Sequence, residues 1–116
     1  MNPDATTNMS TDTPFGLSPG TLQKIRQTLA QHPHVQCAVV YGSRAKGTHK
    51  PGSDIDLTLH AVPGASIDSR ELGDIMEEID ELLLPYMMDL SVFDHIDNDA
   101  LRGHIERVGQ VLYARG

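Results

Sequence analysis

One run of residues constrains the fold more than any other: Ser53-Asp54-Ile55-Asp56-Leu57-Thr58-Leu59-His60-Ala61. Alternation with period two is the mark of a strand with one face buried. It puts Ile55, Leu57, Leu59 and Ala61 on one side and Asp54, Asp56, Thr58 and His60 on the other. The strand therefore belongs to a sheet with one covered face and one face left for charge. At roughly 3.3 Å per residue the two carboxylates start about 7 Å apart, close enough for rotamers to gather both on a divalent cation.

Just upstream, an apolar strand predicted over Val35 to Tyr41 runs into Gly42-Ser43. Glycine permits a tight turn and a close backbone approach, and the turn can offer N–H groups and a hydroxyl to a phosphate. Ser43 to Lys46 reads as one helical turn that Gly47 ends in the left-handed conformation. A third carboxylate, Asp89, sits mid-strand between apolar neighbours in a strand predicted over Met87 to Phe93. Three carboxylates on one sheet face repel each other unless a cation lies among them. Mg²⁺ prefers oxygen ligands and combines one or two carboxylates with substrate phosphates and water. A phosphate cradle beside a carboxylate metal site is what phosphoryl or nucleotidyl transfer requires. Arg44 and Lys46 either neutralise phosphate charge or are simply solvated. Ser53 either touches a phosphate or caps the turn entering its strand.

Charge distribution points the same way. The net charge of −7 over 116 residues argues against non-specific nucleic-acid or membrane binding. Residues 1–12 carry −2, residues 13–53 carry +5 with no acid, and residues 54–116 carry −10. Arg44, Lys46 and Lys50 lie between the phosphate turn and the aspartates, where a polyphosphate would need them. No apolar run reaches the ~18–20 residues that span a bilayer, and the start lacks a secretory-signal pattern, so a cytoplasmic location is expected. The single cysteine, Cys37, rules out an internal disulfide or a multi-cysteine zinc site and reads as a buried structural thiol. No G-x-x-x-x-G-K-[ST] loop is present. The six histidines show no ligand spacing; His60 shares the aspartate face, and the others, His104 among them, read as solvated.

The chain divides into a polar tail, 1–14, expected to be disordered, and one domain, 15–116. Ser18 and Pro19 open a helix carrying Leu22, Ile25 and Leu29. Asp68 and Glu71 form a capping pair for a second helix, with an apolar stripe from Leu72 to Leu83 and acids mostly on the far side. Asp97 or Asn98 caps a last helix that Gly109 ends, and Val111-Leu112-Tyr113 is a short edge strand. The order predicts an α/β (α+β) domain: a small mixed sheet with helices on one face and an open face carrying the site.

Gly42-Ser43, Gly47 and Ser53-Asp54-x-Asp56-Leu57 resemble the G-S…G…S-D-x-D-L pattern of the DNA polymerase beta-like nucleotidyltransferase superfamily. Its size makes the chain most similar to the minimal nucleotidyltransferases (MNT proteins), which pair with a separate helical HEPN protein. The likeness spans roughly residues 20–113, nearly the whole ordered chain. It implies the polymerase beta-like fold, Mg²⁺ held by Asp54, Asp56 and Asp89, and ATP as substrate. Its motif brings nucleotide contacts from Gly42 and Ser43, with Arg44, Lys46 and Ser53 the further candidates by their position beside the turn. The activity implied is transfer of AMP to a hydroxyl of a HEPN ribonuclease toxin, with the chain as antitoxin in a hetero-oligomer. Two alternatives remain at this stage: a partner-binding module that works by occlusion, and a transferase acting on small molecules such as aminoglycosides, which the missing acceptor domain disfavours.

Overall fold

A computed structural model describes residues 14–50 and 52–115; the expected tail lies outside them except for Pro14. Pro14–Gly16 form a 3₁₀ turn. The elements that follow are α1 (Pro19–Ala30), β1 (Val35–Tyr41), α2 (Ser43–Lys46), β2 (Ile55–Ala61), α3 (Ser69–Asp80), β3 (Met88–Val92), a 3₁₀ turn (Phe93–His95), α4 (Asp99–Val108) and β4 (Gln110–Ala114). β2 and β3 are shorter than the sequence predicts, so Asp54 stands one residue ahead of its strand.

Local signals act where they are expected. The Ser18 side chain accepts from the Thr21 N–H, Asp68 from the Glu71 N–H and Asn98 from the Leu101 N–H, each satisfying an orphan donor of a first turn. The capping pair at α3 is one-sided, however. The Glu71 carboxylate turns instead to His34, whose Nδ1 lies 2.9 Å from Oε1.

The sheet order is β3-β2-β1-β4. β1 pairs antiparallel with both β2 and β4, and β2 pairs parallel with β3 through the α3 crossover. The first face carries Val35, Ala38, Val40, Ile55, Leu57, Leu59, Leu90 and Val92 and packs against Leu22, Ile25 and Leu29 of α1 and Ile75 and Ile79 of α3. The expectation of helices on one face holds for these two twelve-residue helices. The third long helix, α4, lies over the opposite face, where Ile105 joins Tyr41 and Phe93 in a second, smaller cluster. Tyr41 is therefore core at one end of the open face. Cys37 is half-buried rather than buried, and burial pushes its thiol up. Among the described residues no helix is long and apolar enough to cross a membrane.

Candidate active site

Register builds the site. Tyr41 of β1 is opposite Asp56 of β2, and Asp56 is level with Asp89 of β3, giving one row across three strands. Neighbouring strands lie about 4.8 Å apart, so the Asp56 and Asp89 carboxylates leave the same face side by side. Asp54 precedes β2 by one residue and is exposed, as is Asp89; Asp56, between them, is half-buried. One row further along, the Ser91 hydroxyl donates to Thr58 Oγ1 at 2.9 Å, which lets Thr58 be fully buried. Beyond it His60 stacks on Phe93 at 4.7 Å. The charge of this face gathers at its Asp54–Asp56–Asp89 end.

Electrostatics single out Asp56. Its carboxyl is pushed above the usual carboxylate range, first by burial and then by the charges of Asp89 and Asp54, with His104 opposing. The Tyr41 hydroxyl is raised first by burial, and the Asp89 and Asp56 charges add to this, with the nearby Ser91 side chain opposing. His104, half-buried on α4, sets its ring edge-on to Tyr41 at 6.3 Å. It opposes the upward push on Asp56. Single-sequence reading missed it, because only folding α4 over the second face brings position 104 there.

The phosphate turn meets this row directly. Gly42 ends β1 with φ 76 and ψ −153. A Cβ at that position would lie 2.5 Å from Asp56 Oδ2. The backbone demands glycine, because φ 76 with ψ −153 is a region L side chains scarcely enter, and a Cβ would also have to displace the end of the Asp56 carboxylate. α2 then begins at Ser43 with no side-chain cap on its first N–H groups, and Gly47 closes it in the left-handed conformation with φ 76.

Arg44, Ser53 and Lys46, the remaining sequence-predicted nucleotide contacts, are placed unlike one another. Arg44 is 3% exposed. Its Nε and one terminal nitrogen donate to the Ser53 carbonyl at 3.0 and 2.7 Å, and the other donates to the Phe15 carbonyl at 2.7 Å. The guanidinium also sits 4.8 Å from the Tyr86 ring centre. Arg44, offered by the sequence either for phosphate or as a solvated side chain, is aimed inward by the short turn of α2, and the carbonyls it meets hold it as a brace. Ser53 is a turn cap, its Oγ accepting from the Lys50 N–H at 2.9 Å. Lys46 alone of these three is exposed.

The donor set suits a hard divalent cation, since three carboxylates share one face and burial, then Asp89 and Asp54, push the central carboxyl up. Among the described residues, no three His, Cys, Asp or Glu side chains are already gathered as a metal cage. The carboxylates share a face without converging on one point.

The fold has known counterparts. A toxin–antitoxin crystal structure with AMP-PNP contains a chain that superposes with a TM-score of 0.65 at 22% identity, covering 81% of this chain and 73% of that one. A tri-AMPylated Shewanella oneidensis HEPN toxin in complex with an MNT antitoxin gives 0.60 at 19%, covering 82% and 71%. The toxin–antitoxin MntA–HepT likewise gives 0.60 at 19%, covering 82% and 71%. At these identities the likeness is one of fold. No curated protein sequence matches the chain. The family model "Polymerase beta, Nucleotidyltransferase" matches residues 23–116, a stretch that holds the glycine turn and all three carboxylates, and the chain belongs to that family.

Proposed function

We propose that the chain is a Mg²⁺-dependent nucleotidyltransferase that moves AMP from ATP onto a hydroxyl of a HEPN-type helical partner, acting as the antitoxin of the pair in the cytoplasm. The observation that carries this is the Asp56–Asp89 row with Asp54 beside it and Gly42 pressed against Asp56. Phosphate and metal sites are then in contact, as transfer at an α-phosphate demands.

In this reading the hydroxyl oxygen attacks the α-phosphorus, the bond from that phosphorus to the β-bridging oxygen breaks, and pyrophosphate leaves. Asp89, exposed at the sheet edge, takes the proton of the attacking hydroxyl. Gly42 and the uncapped N–H groups of Ser43 and its successors hold the departing phosphates, with the Ser43 hydroxyl and the Lys46 ammonium alongside. Asp54, Asp56 and Asp89 would hold Mg²⁺, which when bound supplies charge neutralisation at the α-phosphate and lowers the cost of ionising the attacking hydroxyl. The structural neighbours with AMP-PNP and with an AMPylated HEPN toxin support the choice of nucleotide and partner.

The test uses α-labelled and γ-labelled ATP with Mg²⁺ and a HEPN-type protein encoded beside this one. Label from the α position should appear on the partner and label from the γ position should not. The reverse pattern would mean phosphoryl transfer and end the proposal. The occlusion reading has its own support in the acidic surface of α3. It predicts that Asp54→Asn with Asp56→Asn still neutralises the partner as well as wild type.

A further inference from the structure

On the side of the sheet opposite the three aspartates, a groove of about 440 Å³ runs between α3 and the edge strand β3. Met76, Leu84, Tyr86, Met87 and Met88 line it, and Glu77 and Asp80 form an acidic lip. Met76 and Met87 are 45% and 73% exposed, and Leu83, next to the groove residue Leu84, is 86% exposed. Leu83 is odd in a second way. Its φ is 55, a left-handed conformation that L-residues with a branched side chain rarely adopt. The chain bears a backbone penalty at the very position where it also leaves a leucine in water. Stability alone would favour Asn or Gly there, polar or absent and at ease with positive φ. Leu83 has the character of an anchor held out for a partner.

Charge identifies that partner. The groove's charged lining is Glu77 and Asp80, and from Glu71 to Glu81 the helix and its cap carry six Asp and Glu and no Lys or Arg. A second copy of this surface would bring acid against acid, and residues 1–13 carry only acidic charge, Asp4 and Asp12. Nucleic acid and anionic lipid are repelled for the same reason. Methionine-rich floors adapt to varied apolar side chains, so shape selects less than charge.

We propose that this groove is a docking site for a partner protein, which it receives through an apolar segment flanked by Lys and Arg. The proposal deepens the reading above and rests on it, because it says where a protein acceptor is gripped. β3 is the edge strand: its Met88 side meets the groove and its Asp89 side meets the reaction centre. A partner seated at α3 and wrapped around this edge brings its own hydroxyl to Asp89.

The probe is a helical peptide of leucine and lysine with leucines at i, i+3, i+4 and i+7, added to the full chain without nucleotide and read through methionine methyl NMR signals. Signals of Met76, Met87 and Met88 should shift saturably. A scrambled peptide of the same composition, and one with glutamate for lysine, should bind at least about tenfold more weakly. Leu83→Asn should weaken the peptide by about tenfold or more while leaving Tm the same or higher, which a merely structural leucine would not do. Glu77→Lys with Asp80→Lys should weaken it similarly. The proposal is overturned if the three methyls do not shift, if scrambled or acidic peptides bind equally, or if Leu83→Asn lowers Tm without affecting binding. It is also overturned if the free chain dimerises through Leu83, or if deleting residues 1–13 moves the same three signals as the peptide does. Running the titration on Asp54→Asn with Asp56→Asn separates the two readings: peptide binding should persist there, and its loss in wild type would sink docking without touching catalysis.

Discussion

Asp56 carries the tension of the site, and its neighbours say how it will respond. Its folded pKa lies above the ordinary value of 3.8 because burial, Asp89 and Asp54 all disfavour the charge. In the metal-free protein the ionised form therefore costs stability, a cost present above the folded pKa and relieved as pH falls through it. Asp56→Asn should raise the metal-free Tm at neutral pH by about 2–5 °C. Added Mg²⁺ should stabilise wild type but not the variant, as differential scanning fluorimetry would show. Gly42 has the opposite sensitivity. Gly42→Ala must hold φ 76 and push against Asp56, so it should cost about 1–2 kcal/mol in urea melts and reduce nucleotide transfer at least about 100-fold.

Among the elements, α2 shows how alike residues in one motif part ways. Arg44 and Lys46 sit two positions apart on one helical turn, and the sequence offers both for phosphate. A turn of four residues pressed on the sheet sends Arg44 inward to two carbonyls and leaves Lys46 in solvent. Arg44→Met should leave the Phe15 and Ser53 carbonyls short of donors and cost about 2–4 kcal/mol in denaturant unfolding. Lys46→Ala should leave stability within ~0.5 kcal/mol and raise KM for ATP several-fold. The same inward habit recurs in Arg102, which donates to the Phe93 and Ile96 carbonyls, and in Arg115, which binds those of Val35 and His32. Strands and caps were legible because period and local hydrogen bonding decide them: β1 and α2 fall on the residues read from sequence. The arginine braces were not, because a carbonyl acceptor leaves no mark in sequence. The placement of α4 was hidden for a related reason. Its stripe of Leu101, Ile105 and Val108 predicts a buried side but not which face of the sheet buries it.

At the scale of the molecule, the sheet separates two tasks. One face holds the core and, at its β3 edge, the acid-lipped groove; the other holds the carboxylate row beside the cluster that α4 covers. His60 ties the second face to pH. Burial lowers its pKa, with Arg102 adding and Asp94 opposing. A depressed histidine means that the unfolded chain takes up the proton first, so stability is full above pH ~6.5 and declines as pH falls below it. His60→Phe should flatten that decline in Tm between pH 7 and 5, to the extent that Phe93 accepts the new ring. The central claim is that Asp54, Asp56 and Asp89 act as one unit. The direct measurement is the rate of pyrophosphate release, with ATP, Mg²⁺ and the partner, in Asp54→Asn, Asp89→Asn and the double variant. Each single change should cost about 10³-fold or more, and the double variant should be no slower than the worse single. An Asp89→Asn chain that works at close to the wild-type rate would contradict the account.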